Sequence, residues 1–195
     1  MSQTVAASND YPVIYEIEYP QRQSRWLTFF RGFLIIPVLL VVSSMHLINM
    51  LYLAASTCAW VSLMSNRRYP SLIFPWMVWW NRLLTQMSAY FQLLTDDFPL
   101  DERDSPLIYE IEYTFPHRRW TVFFRFILII PHIIIVAILG LLKLVVTWIA
   151  WFAILIIGKY PRPLWDFSVA VERWNARVSA YAWLFTDRYP PFSFT

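Results

Sequence analysis

Cysteine and glycine are nearly missing from this chain, which carries one Cys and three Gly in 195 residues. A single Cys58 excludes an intrachain disulfide and a thiolate metal cluster, and in its apolar stretch it reads as a small hydrophobe. Three glycines are too few for a Gly-rich phosphate loop, and no Ser/His/Asp order stands out. Charge is scarce too: 15% of residues are charged, against roughly 25% in soluble domains. With 58% hydrophobic residues and 11 Trp, a water-soluble domain could not hide so much apolar surface. The first ten residues, MSQTVAASND, lack the basic region and apolar core of a secretory signal, so the N-terminus is expected to stay on the synthesising side. Net charge is only +3 and the basic residues follow the edges of the apolar runs, so nucleic acid is not an expected partner.

What the chain has is two oily runs, Phe29 to Met64 and Phe123 to Ile157, with 15 of the 16 Lys and Arg outside them or at their edges. It also repeats itself. Residues 11–37 and 105–131 align without a gap at an offset of 94, and sixteen of those 27 positions are identical. The match resumes at an offset of 91, pairing Arg82 with Arg173, Ser88-Ala89-Tyr90 with Ser179-Ala180-Tyr181, and Thr95-Asp96 with Thr186-Asp187. The expected organisation is a tail over 1–10, a first unit over 11–99, an acidic linker over 100–104, a second unit over 105–191 and a tail over 192–195.

Each unit opens with Tyr and Ile alternating with Glu (Tyr15, Ile17, Tyr19; Tyr109, Ile111, Tyr113), the period of a half-buried strand. The apolar run follows. From Arg31 to Arg67 it encloses 35 residues, too many for a single span of about 20, so a tight transmembrane hairpin is predicted in each unit. Its tip falls near Gly140 and Lys143 in the second copy and near His46 and Asn49 in the first, with Pro37 and Pro131 kinking the ascending helices. Hairpins put all cations except Lys143 on one face, which the positive-inside rule makes cytoplasmic. One long tilted helix per unit, or a shallow re-entrant hairpin, is the competing arrangement. Each unit closes with an amphipathic segment, from Trp76 to Leu94 and around Trp165 to Trp183, whose Trp, Tyr and Arg suit the head-group boundary. The predicted fold class is an all-α membrane protein of two tandem repeats, each a short strand, a hairpin and an interfacial helix, four short spans in total. It is expected in the inner membrane with both termini cytoplasmic.

The strings YEIEYP, SRWLTFFRGFLIIP, GKYPRPLWDF and TDRYPPFSF resemble the domain of unknown function 4389 family of small bacterial membrane proteins. The likeness covers nearly the whole chain as two tandem copies, the second closer to the family pattern. It implies a membrane location and carries no activity.

Candidate chemistry is sparse. His132 is the one candidate for holding a cofactor such as haem, but His46 belongs near the hairpin tip and His117 outside the membrane, so no bis-His pair is expected and no cofactor is predicted. Glu16, Glu18, Glu110 and Glu112 are expected to form structural ion pairs with Arg25, Arg31, Arg119 and Arg125. Lys143 is a tip residue or an intramembrane charge. Trp79, Trp80, Trp174, Arg82 and Arg173 are the expected contacts to lipid or to a partner. These features suggest a non-enzymatic accessory or scaffolding subunit of a membrane complex, bound to anionic lipid and to other membrane subunits or itself. A membrane-shaping hairpin protein is the first alternative, a small transporter or cofactor-binding subunit the second.

Overall fold

The computed structural model describes residues 11–31, 46–97, 106–112 and 118–194. The two alternating segments form strands, β1 (Val13–Ile17) and β2 (Leu107–Ile111). They pair antiparallel with Tyr15 opposite Tyr109 at the centre. Beyond the ladder, Glu18 N donates to Pro106 O and Glu112 N to Pro12 O. Alternation does what period two requires: Val13, Tyr15, Leu107 and Tyr109 are buried, while Glu16 and Glu110 face out.

Helix α1 covers 25–31 as far as the described residues extend. Ser24 starts it, its Oγ accepting from Leu27 N at 3.3 Å, and Ser24 N itself donates to Asp96 Oδ2. Helices α2 (His46–Asn66), α3 (Ile73–Phe91), α4 (Arg119–Ile157) and α5 (Arg162–Ala182) follow. α4 ends at Gly158, whose φ of 76° places it in the left-handed region where glycine carries no Cβ penalty. Pro161 and Pro163 then open α5, where missing N–H groups cost nothing.

The predicted hairpin is overturned in the second half of the chain. α4 is one unbroken helix of 39 residues, about 58 Å at 1.5 Å per residue. It passes through Pro131, Gly140 and Lys143 without a turn. A lone glycine has no polar turn residues around it to satisfy freed backbone groups, and in an apolar setting those groups keep the helix closed. Lys143 marks no tip, because its charge is met by Glu172 of α5. In the first half, Asn49 lies within α2. Pro37 and the side chain of His46 lie outside the described residues, as do Tyr113, His117 and the acidic linker. Instead of four short spans there are, among the described residues, two helices long and apolar enough to cross a membrane, Ile48–Asn66 and Arg119–Ile157.

β1 packs on α5 and β2 on α3, and α4 packs against both α5 and α2. Arg173 Nε donates to Tyr15 O at 3.2 Å, and Arg82 donates twice to Tyr109 O, at 3.2 and 2.9 Å. Both arginines, expected at lipid or a partner, therefore hold the ribbon to the helices. α1 runs antiparallel to the end of α4, with Gln23 N on Gly158 O and Trp151 Nε1 on Thr28 O. At the other end of α4, Arg119 Nη2 donates to Ser65 O near the end of α2. The shared core holds Tyr15, Tyr109, Leu63, Met77, Ile154, Tyr160 and Phe185, each at most 2% exposed.

Candidate functional site

The outer surface of α4 is its largest chemical statement. Ile133, Ile134, Ile138, Leu141, Leu142, Leu144, Val145, Trp148, Ile149 and Phe152 are all more than half exposed or at that level. No charge interrupts them. Trp120 and Trp26, near the starts of α4 and α1, are each 76% exposed, and Met50, Leu51, Leu53 and Val61 continue the surface on α2. The opposite side of α4 belongs to α5, whose Arg162 and Asp166 are exposed and whose Glu172 and Arg177 are buried.

Arg31 and Arg125 form the anchors of the two helix ends. The Arg31 guanidinium, 3% exposed, donates to Tyr90 O at 2.8 Å, Thr95 O at 3.1 Å and Asp96 Oδ1 at 2.9 Å, and lies 4.0 Å over the Tyr90 ring. Arg125 does the same with Tyr181 O, Asp187 Oδ1 and the Tyr181 ring. Each guanidinium satisfies carbonyls at the C-terminal end of a helix, where cations also meet the negative end of the dipole. The chain there turns through Leu93 (φ 63°) and Leu184 (φ 68°). These are left-handed positions that a leucine holds only when its surroundings enforce them. The expected pairing with strand glutamates is thus corrected for both arginines, since their partners are Asp96 and Asp187. Glu16, Glu18, Glu110 and Glu112 are all exposed. An outward carboxylate keeps its hydration, whereas a buried guanidinium needs a fixed partner. Arg25 is not on a strand glutamate either: its guanidinium stands where a Cβ on Gly158 would touch it at 3.4 Å.

Between the halves lies a buried charged network. Glu172, 1% exposed, accepts at Oε1 from Ser88 Oγ (2.9 Å), Gln92 Nε2 (2.5 Å) and Lys143 Nζ. Tyr15 OH is buried beside it without a partner among the described residues. Burial, then the Glu172 charge, pushes the Tyr15 phenol well above its ordinary value. Tyr52 stands 91 positions before Lys143, Asn81 stands 91 before Glu172, and Tyr109 stands 94 after Tyr15. There the same places are neutral: Tyr109 OH donates to Asn81 Oδ1 at 2.8 Å, and Asn81 Nδ2 approaches Tyr52 OH at 3.5 Å. Glu172 escapes a linear reading because it looks like one more polar residue on an amphipathic helix. The signal was Lys143, a cation in an oily run that needs a counter-ion. Held by three donors, that carboxylate is a structural pole and not a base in contact with water.

His132 is fully buried. Its Nδ1 accepts from Trp174 Nε1 at 3.3 Å, and its ring stacks on Phe192 with centroids 4.0 Å apart. Nε2 is therefore the protonated nitrogen in the neutral ring, and it has no partner among the described residues. Among those residues no group of three or more His, Cys, Asp and Glu could hold a metal. Of the tryptophans expected to touch lipid or a partner, Trp79 is 46% exposed, but Trp80 and Trp174 are 4% and 5% exposed. Trp174 is spent on His132 and the core, where a large ring gains more from burial than at a surface.

A groove of about 530 Å³ runs between the end of β1 and the start of α5, lined by Glu18, Tyr19, Gln21, Arg162, Trp165, Asp166 and Arg173 among others. Tyr19 and Trp165 meet edge to face at 5.1 Å, and Arg162 lies 4.6 Å over the Tyr19 ring.

Residues 119–193 match the family model described as Domain of unknown function (DUF4389). The match covers α4, α5 and the segment after them, and supports that family for this part of the chain. No curated protein and no solved structure matches the chain.

Proposed function

We propose that this is a structural membrane protein that lies in one leaflet and bends the bilayer by wedging it. One observation carries the reading. α5 follows α4 through the contacts of Tyr181 with Arg125, Trp174 with His132 and Glu172 with Lys143, and β1 follows α5. Standing α4 along the membrane normal would drag Arg162, Asp166, Arg173, Arg177, Glu16 and Glu18 through hydrocarbon. A charged residue at the centre of a span costs about 2.5–3.5 kcal/mol even on the mildest scale. A helix of about 58 Å also exceeds the hydrocarbon thickness of about 30 Å nearly twofold. Lying in the membrane plane removes both conflicts. The oily face of α4 and α2 then enters the acyl region, while the ribbon and both cation-rich ends of α4 stay in water. The positive-inside rule makes that water the cytoplasm of the inner membrane, with anionic head groups around it.

In this reading the chain is two copies of one unit about an axis along the membrane normal. Support comes from the paired contacts of Arg31 and Arg125, of Arg82 and Arg173, and from Tyr15 opposite Tyr109. Volume inserted into one leaflet expands it relative to the other, so the expected activity is curvature. Purified protein reconstituted into large unilamellar vesicles should tubulate or constrict them, by electron microscopy. Vesicles that stay spherical at saturating protein would refute the shaping role. A second reading, an accessory subunit, is favoured by Leu72, just before α3, and Trp79, on α3, which are 89% and 46% exposed. Loss of a copurifying subunit on Trp79→Ala would select it.

A further inference from the structure

Resting on the single-leaflet reading, we propose that the groove between β1 and α5 holds one zwitterionic phospholipid head group of the phosphoethanolamine type, drawn from the leaflet that α4 occupies. Its place suits a lipid. Arg162 lines it and follows directly on the turn 158–161, by which the chain leaves the apolar layer after Ile156 and Ile157, 73% and 64% exposed. Tyr19, on the facing wall, donates its OH to Tyr160 O in that turn.

Its charges suit a zwitterion. Arg162, in the first turn of a 21-residue helix whose dipole favours an anion, and Arg173, three turns further along and lining the same groove, supply guanidinium donors for a phosphate. Arg173 uses Nε on Tyr15 O, and its two Nη groups carry no bond among the described residues. Glu18 and Asp166 supply carboxylates for an ammonium. Asp166 is bonded at 3.0 and 3.3 Å to Arg162, but that pair is 53% and 60% exposed, so it is a weak surface bridge that a ligand can open. Tyr19 lies on the groove wall, and Arg162 is held over its ring and over that of Trp165, which is 4% exposed. A purely anionic head group would meet two arginines but also two carboxylates. A zwitterion meets all four with matched sign.

The chain contains its own control. Ser71 and Pro75 stand 91 positions before Arg162 and Asp166, so the related place in the first half lacks both charges. One head group per chain is therefore expected, not two.

The test is native mass spectrometry of the full chain in mild detergent, given equal amounts of phosphatidylethanolamine, phosphatidylglycerol and phosphatidylcholine. Wild type should retain one phosphatidylethanolamine with at least fivefold preference. Arg162→Ser, which copies the first half, and Glu18→Gln on the exposed strand end should each reduce retention at least fivefold with unchanged circular dichroism. Equal retention by both variants, or preference for phosphatidylglycerol, would overturn the site. Glycerophosphoethanolamine separates the two sources of the head group. Displacement of the lipid only at a hundredfold excess supports a bilayer source, and displacement at equal concentration overturns it. The sidedness of the ends of α4 is a separate readout, so failure here leaves the single-leaflet placement standing and failure there does not erase binding.

Discussion

At the scale of residues, the chain is organised by a few charges taken out of water and given fixed partners. Lys143 and Glu172 are 12% and 2% exposed in their side chains. Deleting one member of such a pair strands the other, at a cost of about 3–5 kcal/mol. Lys143→Met and Glu172→Gln should each lower the thermal midpoint in detergent sharply. The double variant Lys143→Tyr with Glu172→Asn, which copies Tyr52 and Asn81, should recover most of that loss. A double variant as unstable as the worse single one would show that charge is needed there for more than pairing. The residue types were legible in the chain, but the partners were not: Lys143 finds Glu172 29 positions on and Arg125 finds Asp187 62 positions on, distances over which linear order names no contact. The strand glutamates are closer to those arginines in sequence and remain in water.

At the scale of elements, local periodicity served well and length did not. Alternation placed both strands, and the wet stripe of the Trp76 to Leu94 segment matches α3 at Ile73–Phe91. The hairpin failed because dividing an apolar run by the bilayer thickness assumes a helix standing near the membrane normal. In the single-leaflet placement proposed above, α4 lies in the membrane plane and its length meets no such limit. Gly140 and Gly158 separate the two arrangements. A Cβ at Gly140 meets nothing within 4 Å, so Gly140→Ala inside a helix should stabilise by about 0.5–1 kcal/mol. Gly158→Ala, at φ 76° and against Arg25, should destabilise by about 1–2 kcal/mol. Denaturation midpoints moving the other way at Gly140 would restore a turn there.

At the scale of the whole molecule, the ribbon and the helices pack around a shared core. α2 and α4 carry a broad exposed apolar surface, and in the proposed placement the ribbon with α3 and α5 lies on the water side. Composition pointed to a membrane, and two helices among the described residues are long and apolar enough to cross one. The proposed depth of insertion was not legible in the chain, because it rests on where the charges of α5 sit against α4, which depends on packing. The most direct measurement is made easy by there being one cysteine to replace. In a Cys58→Ser background, Arg118→Cys and Lys159→Cys place a thiol at either end of α4. In sealed inverted inner-membrane vesicles both should react with a membrane-impermeant maleimide from the cytoplasmic side. Reaction of one from outside the vesicle and the other only after the membrane is opened would mean that α4 crosses the bilayer, and the single-leaflet account would fail.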